Sequence, residues 1–421
     1  MNSRKYIKIR QLDAGNHRIA AEIDYSRDLR RYFLTDYFFV EYDQDVSDVH
    51  KSLLYIPMVS SMITLAWAVG ADIYVEELDK AYLDSLIAVE PAFQKQYPQF
   101  SFSTRIHVKK ITFNEFRGER CGLLFSCGVD SLTSFLRHRN KRPDLFTIWG
   151  ADVSTHDPNY WERVRGRIGL FANQVRLDVC FVKSNMRDLL NEDAAARRYG
   201  LEGLWFIGSG LTSLGLCAPL TIKRRIGTML IASPGRFRGY RDTTDLMNEF
   251  SWADVRVVVD GYELSRQKKV NCLAQNSEYL PYLRVCYSSR SKYNCGRCEK
   301  CSRTILALLA EGVDPRGCNF NIDERTFKNI RHCLVKGRWD FGQSERSMWM
   351  DIQDRLSDGF EDSGIPGSKE FLSWFKELDI VKCKKNELQH FLWLISYYIG
   401  EEGVVETARR SLAFIMRNLR R

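Results

Sequence analysis

The sequence predicts an α/β protein built on a doubly wound parallel sheet, and three observations predict it. Between about Arg120 and Phe320, short apolar runs of strand length alternate with longer stretches of helical period. One of these runs, Leu123-Leu124-Phe125, breaks at a small-residue turn, Ser126-Cys127-Gly128, and a helical pattern opens near Ser131. Further on, Cys286, Cys295, Cys298 and Cys301 stand in the spacing C-x8-C-x2-C-x2-C.

Strands are expected at Gly122 to Phe125, Leu145 to Trp149, Asp178 to Val182, Gly227 to Ala232 and Val255 to Val259. Helical patterns separate them at Ser131 to Arg139, Trp161 to Gln174, Ala194 to Cys217 and Asp242 to Phe250. Strand-helix alternation of this kind builds a parallel sheet with helices on both faces. Ligands of such sheets bind beyond the carboxyl ends of the strands. The sequence divides into three regions: residues 1–119, a small α+β domain; residues 120–320, the α/β domain with the cysteines; and residues 321–421, mostly helical. Phe391-Leu392-Trp393-Leu394 and Leu412 to Leu419 supply apolar faces in the last region, and Glu361 to Gly367 reads as a loop.

The chain has 421 residues, 44% of them hydrophobic and 27% charged, a composition that fits folded cores and excludes a disordered chain. Its formal charge of +9 is spread along the sequence, so it permits a phosphate-rich partner without demanding one. Tyr55 to Ile73 is the most apolar stretch, but Ser60, Ser61, Thr64 and Asp72 interrupt it, and a buried helix is expected there in place of a membrane span. No apolar signal stretch follows Met1, and the 12 cysteines are expected in a reducing cytoplasm, where clustered thiols mean metal or redox chemistry before disulfides.

The turn after Leu123-Leu124-Phe125 carries the first chemical signal. Backbone N–H groups exposed at a tight turn, with a helix dipole behind them, form an anion cradle. Ser126 and Ser131 can add hydroxyl donors. No Gly-Lys-Ser/Thr follows, so this is not the Walker loop. Ser126-Cys127-Gly128-Val129-Asp130-Ser131 instead resembles the PP-loop, Ser-Gly-Gly-x-Asp-Ser, of the ATP-pyrophosphatases. Members of that superfamily have an adenine nucleotide alpha-hydrolase-like fold and adenylate a substrate while splitting ATP into AMP and pyrophosphate. Cys127 departs from the pattern: a side chain there can crowd the phosphates or strain the backbone, but cysteine is small and is expected to be tolerated.

The cysteine cluster carries the second signal. C-x2-C turns deliver pairs of thiolates to one ion, and four sulfurs complete a tetrahedron around zinc with no place left for water. Cys286, Cys295, Cys298 and Cys301 are therefore expected to hold a structural Zn²⁺, its net charge of −2 offset by Arg290, Lys292, Arg297, Lys300 and Arg303.

Together the two motifs resemble 7-cyano-7-deazaguanine synthase of the queuosine pathway, over about Arg120 to Thr304. Asn294 to Thr304 is also similar to the Asn-Cys-x-Arg-Cys-Glu-Lys-Cys-x-Arg-Thr signature of larger synthase-like proteins. Leu264-Ser265-Arg266 looks like the synthase's Thr-Lys helix start, while its Gly-Tyr-Pro-Asp-Cys substrate run has no clear counterpart in Ala232 to Asp242. The resemblance implies a ligase-type enzyme that takes ATP with Mg²⁺ on Ser126, Cys127, Gly128, Val129, Asp130, Ser131 and Lys268. Asp130, Ser131 and Arg266 would carry catalysis. The acceptor would be a carboxylate or amide oxygen, followed by attack of ammonia, an amine or a sulfur donor. Two alternatives are modification of a macromolecule, either a tRNA or a partner protein as in bacterial defence systems, and a non-catalytic nucleotide-binding module, which Cys127 would suit.

Several other polar residues lie at the expected ligand edge. Asp152, His156 and Asp157 follow the second strand, and Lys183-Ser184-Asn185 ends the third. Glu263 is expected to cap the helix that carries Arg266. Cys180, Cys217, Cys272, Cys318, Cys333 and Cys383 have no metal spacing and are expected to act as small apolar fillers.

Overall fold

The computed structural model describes residues 4–200, 204–235, 247–286, 293–360, 362–404 and 407. It is an α/β protein with a mostly parallel 12-stranded sheet. Two compact units divide the chain: Met1–Ser126 with Thr133–Ser233 and Arg241–Tyr262, and Cys127–Leu132 with Pro234–Tyr240 and Glu263–Arg421. This division differs from the expected breaks after residues 119 and 320. Strands from both sides of residue 120 share one sheet, and the turn at Cys127 groups with the cysteine-bearing segment.

The sheet belongs to the first unit. Its strands are β1 (Tyr6–Ile9), β2 (Asp13–Ala14), β3 (Arg18–Tyr25), β4 (Tyr37–Tyr42), β5 (Asp72–Asp79), β6 (Ile106–Thr112), β7 (Arg120–Leu124), β8 (Asp144–Trp149), β9 (Val179–Ser184), β10 (Ile226–Ala232), β11 (Ser251–Trp252) and β12 (Val255–Asp260). They run in the order β11-β12-β10-β7-β8-β9-β4-β3-β1-β5-β6, with β2 beside β3.

All five expected parallel strands are present, within two residues of their expected ends. β12, β10, β7, β8 and β9 pair in parallel throughout. From β7 the chain winds outward through β8 to β9, then returns to lay β10 on the other side of β7. The winding therefore reverses at β7, which is the topological switch point of the sheet. Leu123, Leu145, Met229 and Leu230 are fully buried, as expected of strands covered on both faces.

Beyond β9 the sheet continues through antiparallel β4 and β3, so residues 4–112 extend the same sheet. The apolar stretch at Tyr55 becomes the helix Ile56–Val69, buried at every position except Ser61. Its partner is the helix Leu204–Lys223. Close approach depends on small residues: a Cβ on Gly215 would come within 2.2 Å of the Ser60 Oγ, and one on Gly208 within 2.4 Å of the Thr64 Oγ1. Thr212 then donates to the Ser60 carbonyl at 3.1 Å. No helix among the described residues is long and apolar enough to cross a membrane.

The second unit is helical among its described residues. Arg266–Ala274 and Glu299–Ala310 precede Glu324–Val335, Gln343–Ser357, Ser368–Lys376 and Glu387–Glu402, the last four being the helices of the described part of the last region. An aromatic core forms where Trp349 meets Trp339, Phe341 and Phe375 at centroid distances of 5.5–5.9 Å. The expected apolar face at Leu412 to Leu419 lies outside the described residues.

Candidate functional site

The turn Ser126-Cys127-Gly128 leaves the carboxyl end of β7 and runs into the helix Val129–His138. Cys127 has a φ of +57°, the left-handed region that favours glycine, so a non-glycine residue sits here at some cost in backbone strain. Its side chain is fully buried, and its carbonyl accepts the N–H of Arg284 at 2.9 Å. Ser131, in the first helical turn, donates to the Gly128 carbonyl at 3.3 Å. Val129 is fully buried.

Asp130 sits at the helix start, where a carboxylate favours the dipole. Arg266 binds one of its oxygens, and Lys269 binds the other at 3.1 Å. Burial pushes the Asp130 carboxyl up, but the Arg266 and Lys269 cations outweigh it and hold the pKa at about 2. Asp130 and Arg266, both singled out in the sequence, thus form an ion pair. Lys268 does not join them. It is exposed, and its backbone N–H reaches the Ser265 hydroxyl at 3.3 Å. Its neighbour Lys269, 1% exposed, takes the inward place. Gly235, with φ +102°, lies close by: a Cβ there would stand 2.4 Å from the Leu264 carbonyl oxygen and 3.4 Å from the Lys269 Nζ. Ser265, not Glu263, caps the helix, because its side chain is one residue before the first helical position.

The four cysteines form a buried cluster whose sulfurs all lie within 4.8 Å of one another. Zinc–sulfur bonds of about 2.3 Å at tetrahedral angles imply sulfurs about 3.8 Å apart. The Cys295–Cys301 and Cys286–Cys298 pairs stand at 3.7 and 4.0 Å, far beyond a disulfide bond of about 2.05 Å. The cluster can hold a metal ion such as zinc. Gly296, with φ +71°, turns the chain so that the N–H groups of Arg297 and Cys298 point at the Cys295 Sγ, at 3.4 and 3.2 Å. The Cys301 N–H reaches the Cys298 Sγ at 3.4 Å. Cys298 also caps the helix Glu299–Ala310, so the positive end of a helix faces the sulfurs.

The flanking signature now has a physical account. Asn294, 2% exposed, accepts from the N–H groups of Val285 and Cys286 at 2.9 and 3.3 Å and donates to the carbonyls of Leu283 and Cys318 at 2.9 and 3.3 Å. Glu299 pairs with the buried Arg303 at 2.8 Å and accepts from the Trp349 indole at 2.7 Å, so Arg303 is committed to Glu299. Arg297 stays beside the cysteines, and Arg290 and Lys292 lie outside the described residues. Thr304 donates to the Lys300 carbonyl at 2.8 Å.

The remaining polar candidates have structural partners in the first unit. Asp157 caps the helix Pro158–Val175 through the Tyr160 N–H, and His156 faces Asp188 at 3.4 Å. Lys183 pairs with Glu41 at 2.9 Å, Ser184 donates to the Phe39 carbonyl and Asn185 accepts the Phe39 N–H. Those three residues hold β4, which the sequence reading did not place beside β9. Among the filler cysteines, burial pushes the thiols of Cys180, Cys318 and Cys333 up to about 12, so they are inert. Of the stretch Ala232 to Asp242, residues 236–242 lie outside the described residues.

Comparison of the chain with protein families, curated proteins and solved structures finds no match. Lys269, Arg284 and Gly235 escaped the sequence reading. Lys269 was within reach of helical phase, since it shares a face with Arg266 and Val270. Arg284 carries no sequence signal.

Proposed function

We propose that the protein is an ATP-dependent adenylating enzyme of the PP-loop type, with the cysteine cluster holding a structural zinc. The observation that carries this reading is the place of the turn. It follows the central strand β7, where the winding reverses and doubly wound sheets bind nucleotides, and it leads directly into a helix N-terminus. The Asp130–Arg266–Lys269 cluster supports it, because it sets two cations beside the first helical turn.

In this reading the β- and γ-phosphates lie on Ser126 to Ser131, where a bound Mg²⁺ would supply partial neutralisation of their charge, and the α-phosphorus faces the acceptor. A carboxylate or amide oxygen of the acceptor forms a bond to that phosphorus. The bond between it and the bridging oxygen breaks, and pyrophosphate leaves with the electron pair. An amine, ammonia or a sulfur nucleophile then displaces AMP. Arg266 and Lys269 stabilise the charge on the departing pyrophosphate, and Asp130 holds both in place. With all four sulfurs as ligands, a bound zinc would have no open position and would serve the fold.

Radiolabelled ATP, the purified chain, Mg²⁺ and a cell extract as the source of acceptor provide the test. The expected products are AMP and pyrophosphate, lost with Arg266→Ala. ADP as the product, or failure of ATP to bind in calorimetry, would overturn the assignment.

A further inference from the structure

Tyr397 lies on the helix Glu387–Glu402, outside every motif discussed above, and it is 4% exposed. Its hydroxyl is buried and faces the Cys295 sulfur, but no hydrogen bond of good geometry satisfies it, which is costly for a buried O–H. The groups whose charge acts on that hydroxyl are the sulfurs of Cys295, Cys286 and Cys298. Arg297, which sits between Cys295 and Cys298, lies over the Tyr397 ring at 5.4 Å. One turn further along the same helix comes Gly400, where a Cβ would stand 3.0 Å and 3.2 Å from the two terminal nitrogens of Arg297. The small residue at 400 leaves room for the Arg297 guanidinium against the helix.

We propose that Tyr397 is an outer-sphere hydrogen-bond donor to the metal-bound Cys295 thiolate, and that the helix Glu387–Glu402 closes the metal site. A neutral thiol is a weak acceptor, whereas a metal-bound thiolate is a strong one, so loading the metal gives the buried O–H its partner. Four thiolates around one divalent ion carry an excess of negative charge. The backbone donors of Arg297, Cys298 and Cys301 offset part of it, and Tyr397 adds a side-chain donor. Outer-sphere partners of this kind orient their ligands and are worth about 10–100-fold in metal affinity. The proposal rests on the zinc reading above and adds a residue and a helix to it.

The test uses the full chain loaded with zinc and challenged with a chromophoric chelator. Wild-type zinc content is measured first. Tyr397→Phe, with unchanged circular dichroism, is expected to give up its zinc about 10–100-fold more readily than wild type. Tyr398→Phe, the same change one residue on, is expected to behave as wild type. As a second measurement on the wild-type chain, stripping the zinc is expected to raise amide exchange across 387–402 more than in strands β7 to β10. Zinc retention by Tyr397→Phe equal to wild type, or exchange in 387–402 unchanged on stripping, overturns the proposal and leaves the zinc reading standing. A wild-type chain that binds no zinc overturns both.

Discussion

Arg284 donates its backbone N–H to the carbonyl of Cys127 at 2.9 Å, and its guanidinium donates to the carbonyl of Cys286 at 3.3 Å. One buried residue thus joins the turn of the proposed nucleotide site to the first cysteine of the metal cluster. The two motifs that the sequence presents 150-odd residues apart, at Cys127 and Cys286, are mechanically continuous.

Metal removal should therefore be felt at the turn. About one zinc per chain is expected, and Cys298→Ser should lower both zinc content and solubility, since binding energy at a closed site is folding energy. Stripping the metal should raise amide exchange at Cys127–Leu132. A stable, metal-free protein with four free thiols at these positions would sink the zinc assignment.

Asp130→Ala removes the carboxylate that Lys269 faces from a 1% exposed position. A buried cation left without its partner costs about 3–5 kcal/mol. Urea denaturation should show a loss of that size, partly recovered when Lys269→Met is added. The pH dependence has a definite sign. The folded pKa of Asp130 lies below the unfolded value, at about 2, so its contribution of about 2 kcal/mol is complete above about pH 4 and fades as pH falls toward 2. Asp130→Ala should flatten the acid limb of the stability curve in that window. An acid limb identical to wild type would count against the ion cluster.

Cys127 should tolerate glycine and reject β-branched residues. Glycine relieves a left-handed conformation that costs other residues about 1–2 kcal/mol, but it gives up a buried side chain and adds freedom to the unfolded chain. Cys127→Gly should stay within about 1 kcal/mol of wild type, whereas Cys127→Val should lose more than about 2 kcal/mol. Chemical denaturation of the pair decides it, and equal stabilities would contradict the observed backbone. In the adenylation assay, Cys127→Gly should keep its activity if the thiol takes no chemical part.

Asn294→Ala strands two N–H groups and two carbonyls in the interior at once. Unsatisfied buried groups cost about 1–3 kcal/mol each, so a total loss above about 3 kcal/mol is expected, along with weaker zinc retention. Thermal melts with and without added zinc would show it, and an unperturbed melt would refute the role given to Asn294.

The sequence made the parallel strands legible because each is a short apolar run closed by polar or small residues, and burial on both faces leaves that mark. The cysteine cluster was legible because metal ligation is written in local spacing. Lys269 was missed by one position. Helical phase places residues 266, 269, 270 and 273 on one face and turns Lys268 away from it, so the inward lysine could be read from spacing alone. The union of β4 with β9 was not legible at all. It joins Val40 to Ser184 and Glu41 to Lys183 by backbone pairing, which no local pattern encodes. Residues 4–112 consequently read as a separate domain, although their strands complete the sheet.

That same seam has a consequence for the order of synthesis. The Ser184 hydroxyl meets the Phe39 carbonyl across 145 residues of chain. At about 5–20 residues per second, a ribosome needs about 7–30 seconds to deliver β9 after β4 has been made. During that interval Tyr37–Tyr42, an aromatic strand of high β propensity, presents an unpaired edge to every other nascent chain nearby. The protein's yield on expression should thus depend on elongation speed and on chaperones that shield this one strand.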